Sequence, residues 1–440
     1  MKKVYYFLFA AMGLASCSNE DALVPENNVS TEVTTSQLSI ETRSYDEALA
    51  IAKNAISMLE DGDAATRSGE ASRTIDLANG VKTYRQNVTR ADGSVSNDPL
   101  LYVFNFNDNK GFAVVSAKRS TGGLLALVEK GSYDPNSKWS DGSSAIECLE
   151  NLKEYVAEAK PETTTSVTRG STVNFDNFYK IAVGQGPDFT VYEELENIHS
   201  IKPKLKVSWG QRGNIALCCP NKIAGSGPIA LAQIMSFHKW PRHINLTYLD
   251  NRDNYQNWEK MLESKTPDQV PADFFQFPAF IREIGQRTGT TYMSNKSVTD
   301  INKLRDFMIS QQYAVSFMFS INPAKDYRTN AIYSILTDMS FVVAQRTSAK
   351  GNTHTFVIDG CNYYRYRVYQ QFKNGNINVY YEDPTNLNHI NWCEGGNYDG
   401  YYSTYSLSPY YYTTDEGAGY FEGEKKPKYS GTMKFFSTGR

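Results

Sequence analysis

The chain is 440 residues long, which suits two domains or one large one. Its 45 Lys and Arg against 48 Asp and Glu leave a net charge of −3, so the basic footprint of a nucleic-acid binder is missing. After the N-terminal leader no run approaches the roughly 18 apolar residues that a membrane-crossing helix requires. Aromatic residues make up 13%, with 30 Tyr, a load that suits an extracellular globular protein or a glycan-contacting surface and decides neither.

Residues 1–17 read as a targeting signal. Lys2 and Lys3 open it, Tyr5 to Ala11 are largely apolar, and Leu14-Ala15-Ser16-Cys17 puts small residues at the cleavage point. That tetrapeptide resembles a bacterial lipobox, with Cys17 lipidated and made the mature N-terminus. A plain secretory signal with an incidental Cys is the alternative. Ser18-Asn19-Glu20-Asp21 resembles the acidic sequence that takes such lipoproteins to the cell surface. The expected location is the bacterial surface or outer membrane, or the secreted pool, with membrane contact only through Cys17. Five further cysteines, Cys148, Cys218, Cys219, Cys361 and Cys393, fit no zinc spacing, and their odd number argues against a full disulfide framework. No metal and no cofactor is expected.

Residues 18–43, rich in Ser, Thr, Asn and Glu, read as a disordered tether. A first, small α+β domain is expected over 44–168. Ser44-Tyr45-Asp46-Glu47 forms a capping box ahead of Leu49, Ala52, Ile56 and Leu59 at helical spacing. A Gly/Ser/Thr-rich loop covers 61–73. Leu101 to Phe106 and Phe112 to Ser116 flank a polar turn and predict a hairpin, Leu124 to Val128 another strand, and Ile146 to Ala159 a helix ended by Lys160-Pro161. Residues 161–172 read as a linker, with Arg169-Gly170 open to a trypsin-like protease. The second domain, 170–440, is expected to hold helices at 227–239, 272–287 and 299–311. Strands dominate from 352 onward, with Asn374-Gly375 as a hairpin turn within Arg367 to Asp383.

The most informative stretch is Ala224-Gly225-Ser226-Gly227-Pro228-Ile229-Ala230-Leu231-Ala232-Gln233-Ile234-Met235. Pro near the start of an apolar helix puts Ser226 at a helix N-terminus, where unpaired N–H groups and the dipole favour negative charge. A nucleophile belongs at such a place; so does a plain Ser N-cap on a core helix. His354 heads the apolar run Thr355 to Gly360. His389-Ile390-Asn391-Trp392 and Trp209-Gly210-Gln211 supply groups that orient an imidazole or bind an oxyanion.

These segments resemble streptopain-like cysteine peptidases, family C10. The family phrase Gly-Cys-Gly-Pro-Val-Ala, then Ala-Gln-Ile-Met, falls on 225–235 with Ser226 in place of the catalytic cysteine. The phrase Gly-His-Ala-Phe-Val-Ile-Asp-Gly falls on 353–360, which implies His354 as the base. His-Ile-Asn-Trp-Gly-Trp-Gly-Gly, then Asp-Gly-Tyr-Tyr, falls on 389–402. There Asn391 would orient the imidazole, Trp392 would cover that bond, and His389 is a neighbour of the site. Cys393-Glu394 replaces the family's Gly-Trp. Gln211 would be the side-chain oxyanion donor. Tyr102 to Asn105 with Gly111 to Ala117 resembles the C10 propeptide and the Spi inhibitors; an unrelated α+β domain is the alternative. The resemblance implies a papain-like, two-lobed α+β peptidase domain behind a small propeptide domain. It also implies protein or peptide substrates, and a propeptide acting in cis on its own peptidase domain.

A serine hydroxyl is far less acidic than a thiol and needs a base assisted by a preorganised acid, whereas Asn391 suits a thiolate–imidazolium pair. The chain is therefore expected to be an endopeptidase precursor that is inactive or nearly so in this form. Serine here fits either a trapped zymogen or a natural pseudoenzyme. A non-catalytic surface protein that binds peptides or proteases is the other functional class left open.

Overall fold

The computed structural model describes residues 42–60, 72–86, 88–89, 95–138, 143–159, 165–166, 185–186, 189–249, 255–316, 335–337, 339–347, 351–372, 377–407 and 432–440. Cys17, Arg169-Gly170 and Asn374-Gly375 lie outside them.

Helix α1 spans Tyr45–Glu60. Its capping box is formed: the Ser44 N–H donates to Glu47 Oε2 at 2.7 Å and the Glu47 N–H to Ser44 Oγ at 3.3 Å. Then come β1 (Val81–Arg85), β2 (Pro99–Asn105), β3 (Phe112–Ser116) and β4 (Leu124–Val128), followed by helix α2 (Ser144–Glu158). The polar turn between β2 and β3 works because Asp108 and Asn109 accept φ of 57° and 58°, which short polar side chains tolerate. Strand β5 (Phe189–Ile201) follows, unforeseen in sequence, where Glu193, Glu194 and Glu196 interrupt any apolar alternation.

Helices α3 (Ser226–His238), α4 (Gln276–Arg287) and α5 (Ile301–Ser310) come next. The sequence pattern starts the second of these at residue 272; Phe275 caps it instead. The chain ends in β6 (Ala314–Val315), β7 (Phe341–Thr347), β8 (Thr353–Phe372), β9 (Ile377–Asn391), β10 (Gly400–Ser403) and β11 (Thr432–Gly439).

The strands form one sheet in the order β1-β2-β3-β4-β10-β9-β8-β7-β11-β6, with β5 on β8. Early and late strands meet at β4 and β10, antiparallel, with Val128 opposite Gly400 and Ala126 opposite Tyr402. Side-chain alternation along β7 and β8 gives the sheet two buried faces. Val343 and Val357 pack with α3, α4 and α5 around Ile229, Phe280 and Leu304. Val342, Ala344, Phe356 and Ile358 pack with α2 residues Cys148, Leu149 and Leu152. Residues 42–159 thus share both a sheet and a core with the rest, in a mixed α/β, sheet-rich body. All five cysteines from Cys148 on are buried and free. No helix among the described residues is long and apolar enough to cross a membrane.

Candidate active site

Gly225 turns the chain into α3 at φ 87°, and a Cβ there would sit 3.1 Å from the Ser297 carbonyl oxygen, so both backbone and space ask for glycine. Ser226 is the first residue of the helix and is 6% exposed. Its hydroxyl does not cap α3. It accepts the Thr355 N–H of β8 at 2.9 Å, which joins the helix N-terminus to the strand that carries His354.

His354 stands opposite Arg346 across β7 and β8. Its Nε2 lies 2.7 Å from the Trp392 carbonyl oxygen, and since a carbonyl only accepts, Nε2 carries the hydrogen. Its Nδ1 lies 3.7 Å from Glu394 Oε1. The Trp392 ring is fully buried, 6.1 Å from the imidazole and 4.8 Å from Phe356 between centroids.

Asn391 does not hold the imidazole in this structure. Its Nδ2 donates to the Val207 carbonyl and to Gln233 Oε1, and its Oδ1 accepts from Gln233 Nε2 at 3.0 Å and from the Cys393 N–H. The reason is Gln233, a fully buried amide on α3 two turns past Ser226, which must be satisfied and finds its complement in Asn391. Gln233 Oε1 also accepts the Trp209 N–H at 2.9 Å. The sequence signal for it was present: an amide inside an otherwise apolar helix, seven residues after the nucleophile position.

Gln211 is half-buried, and its carbonyl accepts the Ala224 N–H at 2.8 Å, which ties its segment to the approach to Ser226. Gly210 bridges to Glu394, and the Gly395 N–H reaches the Trp209 carbonyl at 3.4 Å. Cys393 adopts φ 60°, a left-handed conformation at the position where the family phrase has glycine. Its thiol is buried within 3.4 Å of Gln233 Nε2, and burial pushes its ionisation up.

Beside the site, buried His389 lies between Asp359 (2.6 Å) and Glu129 (3.1 Å). Burial opposes its charge, but the two carboxylates outweigh that and raise it to about 10. Asp399 accepts the Trp392 N–H at 2.8 Å, and burial pushes its carboxyl up to about 7 against the pull of that N–H and of His389. Among the described residues no group of three or more His, Cys, Asp and Glu is arranged to hold a metal ion.

The N-terminus of α3 and the Ser226 hydroxyl thus lie against β8 beside His354. Comparison with known proteins finds two families along the chain. Residues 209–402 match the Peptidase C10 family, and residues 31–156 match the Spi protease inhibitor family. Streptopain of Streptococcus pyogenes serotype M28 (strain MGAS6180) is 21% identical over 353 residues, covering 73% of this chain and 78% of that protein. Streptopain of Streptococcus pyogenes serotype M1 is 21% identical over 352 residues with the same coverage. The chain therefore holds a region similar to the Spi protease inhibitors followed by one similar to the C10 peptidases, and it is distantly similar to streptopain over most of its length.

Proposed function

We propose that this chain is a streptopain-like endopeptidase precursor whose cleft takes extended polypeptide, and whose cysteine-type turnover is lost because Ser226 holds the nucleophile position. The observation that carries it is the Thr355 N–H bond to Ser226, which brings the head of β8, and so His354, to the N-terminus of α3. In this reading Ser226 is the attacking position and His354 the base. Gln211 and the Ser226 N–H receive the oxyanion, Trp392 shields the imidazole, and Asn391 fixes the loop that presents Trp392. The cleft lies between a helical lobe built on α3, α4 and α5 and the sheet, a papain-like division. The Spi-like region acts as an inhibitory propeptide in cis. The chain is exported and held at the bacterial surface by lipid on Cys17.

A thiol at a helix N-terminus beside an imidazole ionises readily, whereas a hydroxyl does not. Losing a protease nucleophile costs up to about 10⁶ in kcat. Restoring sulfur by Ser226→Cys in the full chain should give a thiol that iodoacetamide alkylates faster than a free cysteine at neutral pH, mapped to residue 226 by mass spectrometry. Casein hydrolysis should appear once the linker is cut and the Spi-like fragment has been displaced. His354→Ala in that background should slow both. The loss of the thiol at position 226 leaves a second reading, a non-catalytic peptide-binding surface protein. A thiol in Ser226→Cys no more reactive than a free one would select it.

A further inference from the structure

We propose that Ser226, His354 and Glu394 form a serine-type acyl-transfer site, with Glu394 as the acidic member that a hydroxyl nucleophile needs. The inference rests on the reading of residue 226 as the nucleophile position and goes beyond it in the chemistry. Two differences from the family pattern border His354: the Ser226 hydroxyl bonds the N–H of the next residue, Thr355, and Glu394 faces the imidazole. Serine replaces the thiol, and a carboxylate replaces the tryptophan at 394, with its Oε1 3.7 Å from His354 Nδ1. A thiolate partner is served by a neutral amide, but a serine base works with a carboxylate on the far imidazole nitrogen, which sets the tautomer and stabilises the imidazolium as it forms. The amide that would otherwise fill that role, Asn391, is committed to Gln233. Glu394 is free to move: its side chain keeps 29% of its surface exposed, and its backbone is pinned by the bridge to Gly210.

The Ser226 hydroxyl is suited to the step. It accepts from Thr355, and its own hydrogen is not committed to another group among the described residues. In the step, the imidazole hydrogen first shifts through solvent from Nε2 to Nδ1, where Glu394 holds it, and the freed Nε2 turns from the Trp392 carbonyl to Ser226. The Oγ–H bond breaks and its proton passes to Nε2, while Oγ forms a bond to the acyl carbon. The leaving amine takes the Nε2 proton as the carbon–nitrogen bond breaks, and water then hydrolyses the ester by the same relay. No oxidant, metal or further reactant enters. The fitting substrate class is a peptide or an activated ester in the cleft.

The test uses the full chain and a fluorophosphonate probe, which forms an Oγ–phosphorus bond and expels fluoride. Labelling should map to Ser226 and vanish in Ser226→Ala and His354→Ala. Glu394→Gln should slow it by about tenfold or more, within the range of general-base effects, and Glu394→Asp should recover much of the rate. Thermal midpoints of both Glu394 variants should match the parent, since Glu394 is part-exposed and its hold on the fold is through its backbone. Iodoacetamide on Ser226→Cys serves as the control for access. If the thiol of Ser226→Cys alkylates rapidly while Ser226 of the parent stays unlabelled, the serine chemistry is overturned and the peptidase reading stands. Ser226 labelled at the parent rate in Glu394→Gln would overturn the role of Glu394. If neither the hydroxyl nor the introduced thiol at position 226 reacts, the nucleophile position itself is misread and both proposals fall.

Discussion

At the scale of single residues, the site is held by a buried amide more than by the groups named for chemistry. Gln233 presents one oxygen to the Trp209 N–H and both ends of its amide to Asn391. Trp209 leads into Gln211, and Asn391 into Trp392, so one side chain sets the spacing of the segments on either side of α3. A buried donor or acceptor left without a partner costs about 1–3 kcal/mol. Gln233→Leu strands the Trp209 N–H and the Asn391 amide together and should lower stability by roughly 2–5 kcal/mol. Urea unfolding would read this as a lower midpoint at an unchanged slope. A change under about 1 kcal/mol would mean that water or a shifted loop replaces the amide. Leucine keeps the volume, so the loss reports hydrogen bonding rather than a cavity.

At the scale of elements, His389 and Asp399 link β9 and β10 to the early strands through Glu129 at the end of β4. The imidazole of His389 is raised to about 10 from an ordinary 6.5, so folding takes up a proton there. Its contribution is complete below 6.5 and is lost as pH rises through 10. Asp399, raised to about 7 from 3.8, has the same sign: the folded protein keeps a proton that the unfolded chain releases, and stability falls as pH climbs through 7. Denaturation midpoints should therefore fall between pH 6.5 and 10 through His389, the Asp399 part of the loss being complete by about pH 7. In His389→Gln that slope should flatten, and the variant should cost about 3–5 kcal/mol near neutral pH, since it removes the imidazolium that faces the buried Asp359 carboxylate. A slope unchanged in the variant would place the titrating group elsewhere. Local elements were readable in the sequence because their signals are local: the Ser44–Glu47 box, the β2–β3 hairpin, and α3 behind Gly225. The four segments around Ser226, Gln211, His354 and Asn391 were readable too, because each keeps a family phrase. What stayed hidden were partnerships made across the chain. Glu129 and His389 are 260 residues apart, and no periodicity links them. The Gln233–Asn391 amide pair spans 158 residues and diverts the very side chain that local phrasing assigned to the imidazole.

At the scale of the whole molecule, the early and late strands form one sheet, and that governs what cutting the chain can do. The β4–β10 seam carries backbone pairing, the Glu129–His389 ion pair crosses it, and α2 covers Phe356, Ile358 and Trp392 on the sheet face behind it. Arg346 of β7 reaches the Cys148 sulfur of α2 at 3.1 Å, and the Asn151 amide donates to the Ser406 carbonyl at 3.0 Å. A cleaved linker removes none of these contacts. Apolar surface returns about 25 cal/mol for each Å² kept from water, and the face under α2 is lined by aromatic and branched side chains. Trypsin cleavage within 161–172 should therefore yield two fragments that elute as one species in native buffer and separate only in denaturant. The seam itself has a defined weak point. Gly400 lies so close to β4 that a Cβ would meet the Leu127 carbonyl oxygen at 2.4 Å. Gly400→Val must push the two strands apart, whereas Ala126→Ser, one strand over, adds only a hydroxyl. After linker cleavage the Gly400→Val fragments should dissociate on dilution or at urea concentrations where the parent stays whole. Parent fragments that part readily in native buffer would show that the shared sheet is held by the covalent linker, and that the early region leaves the site when the chain is cut.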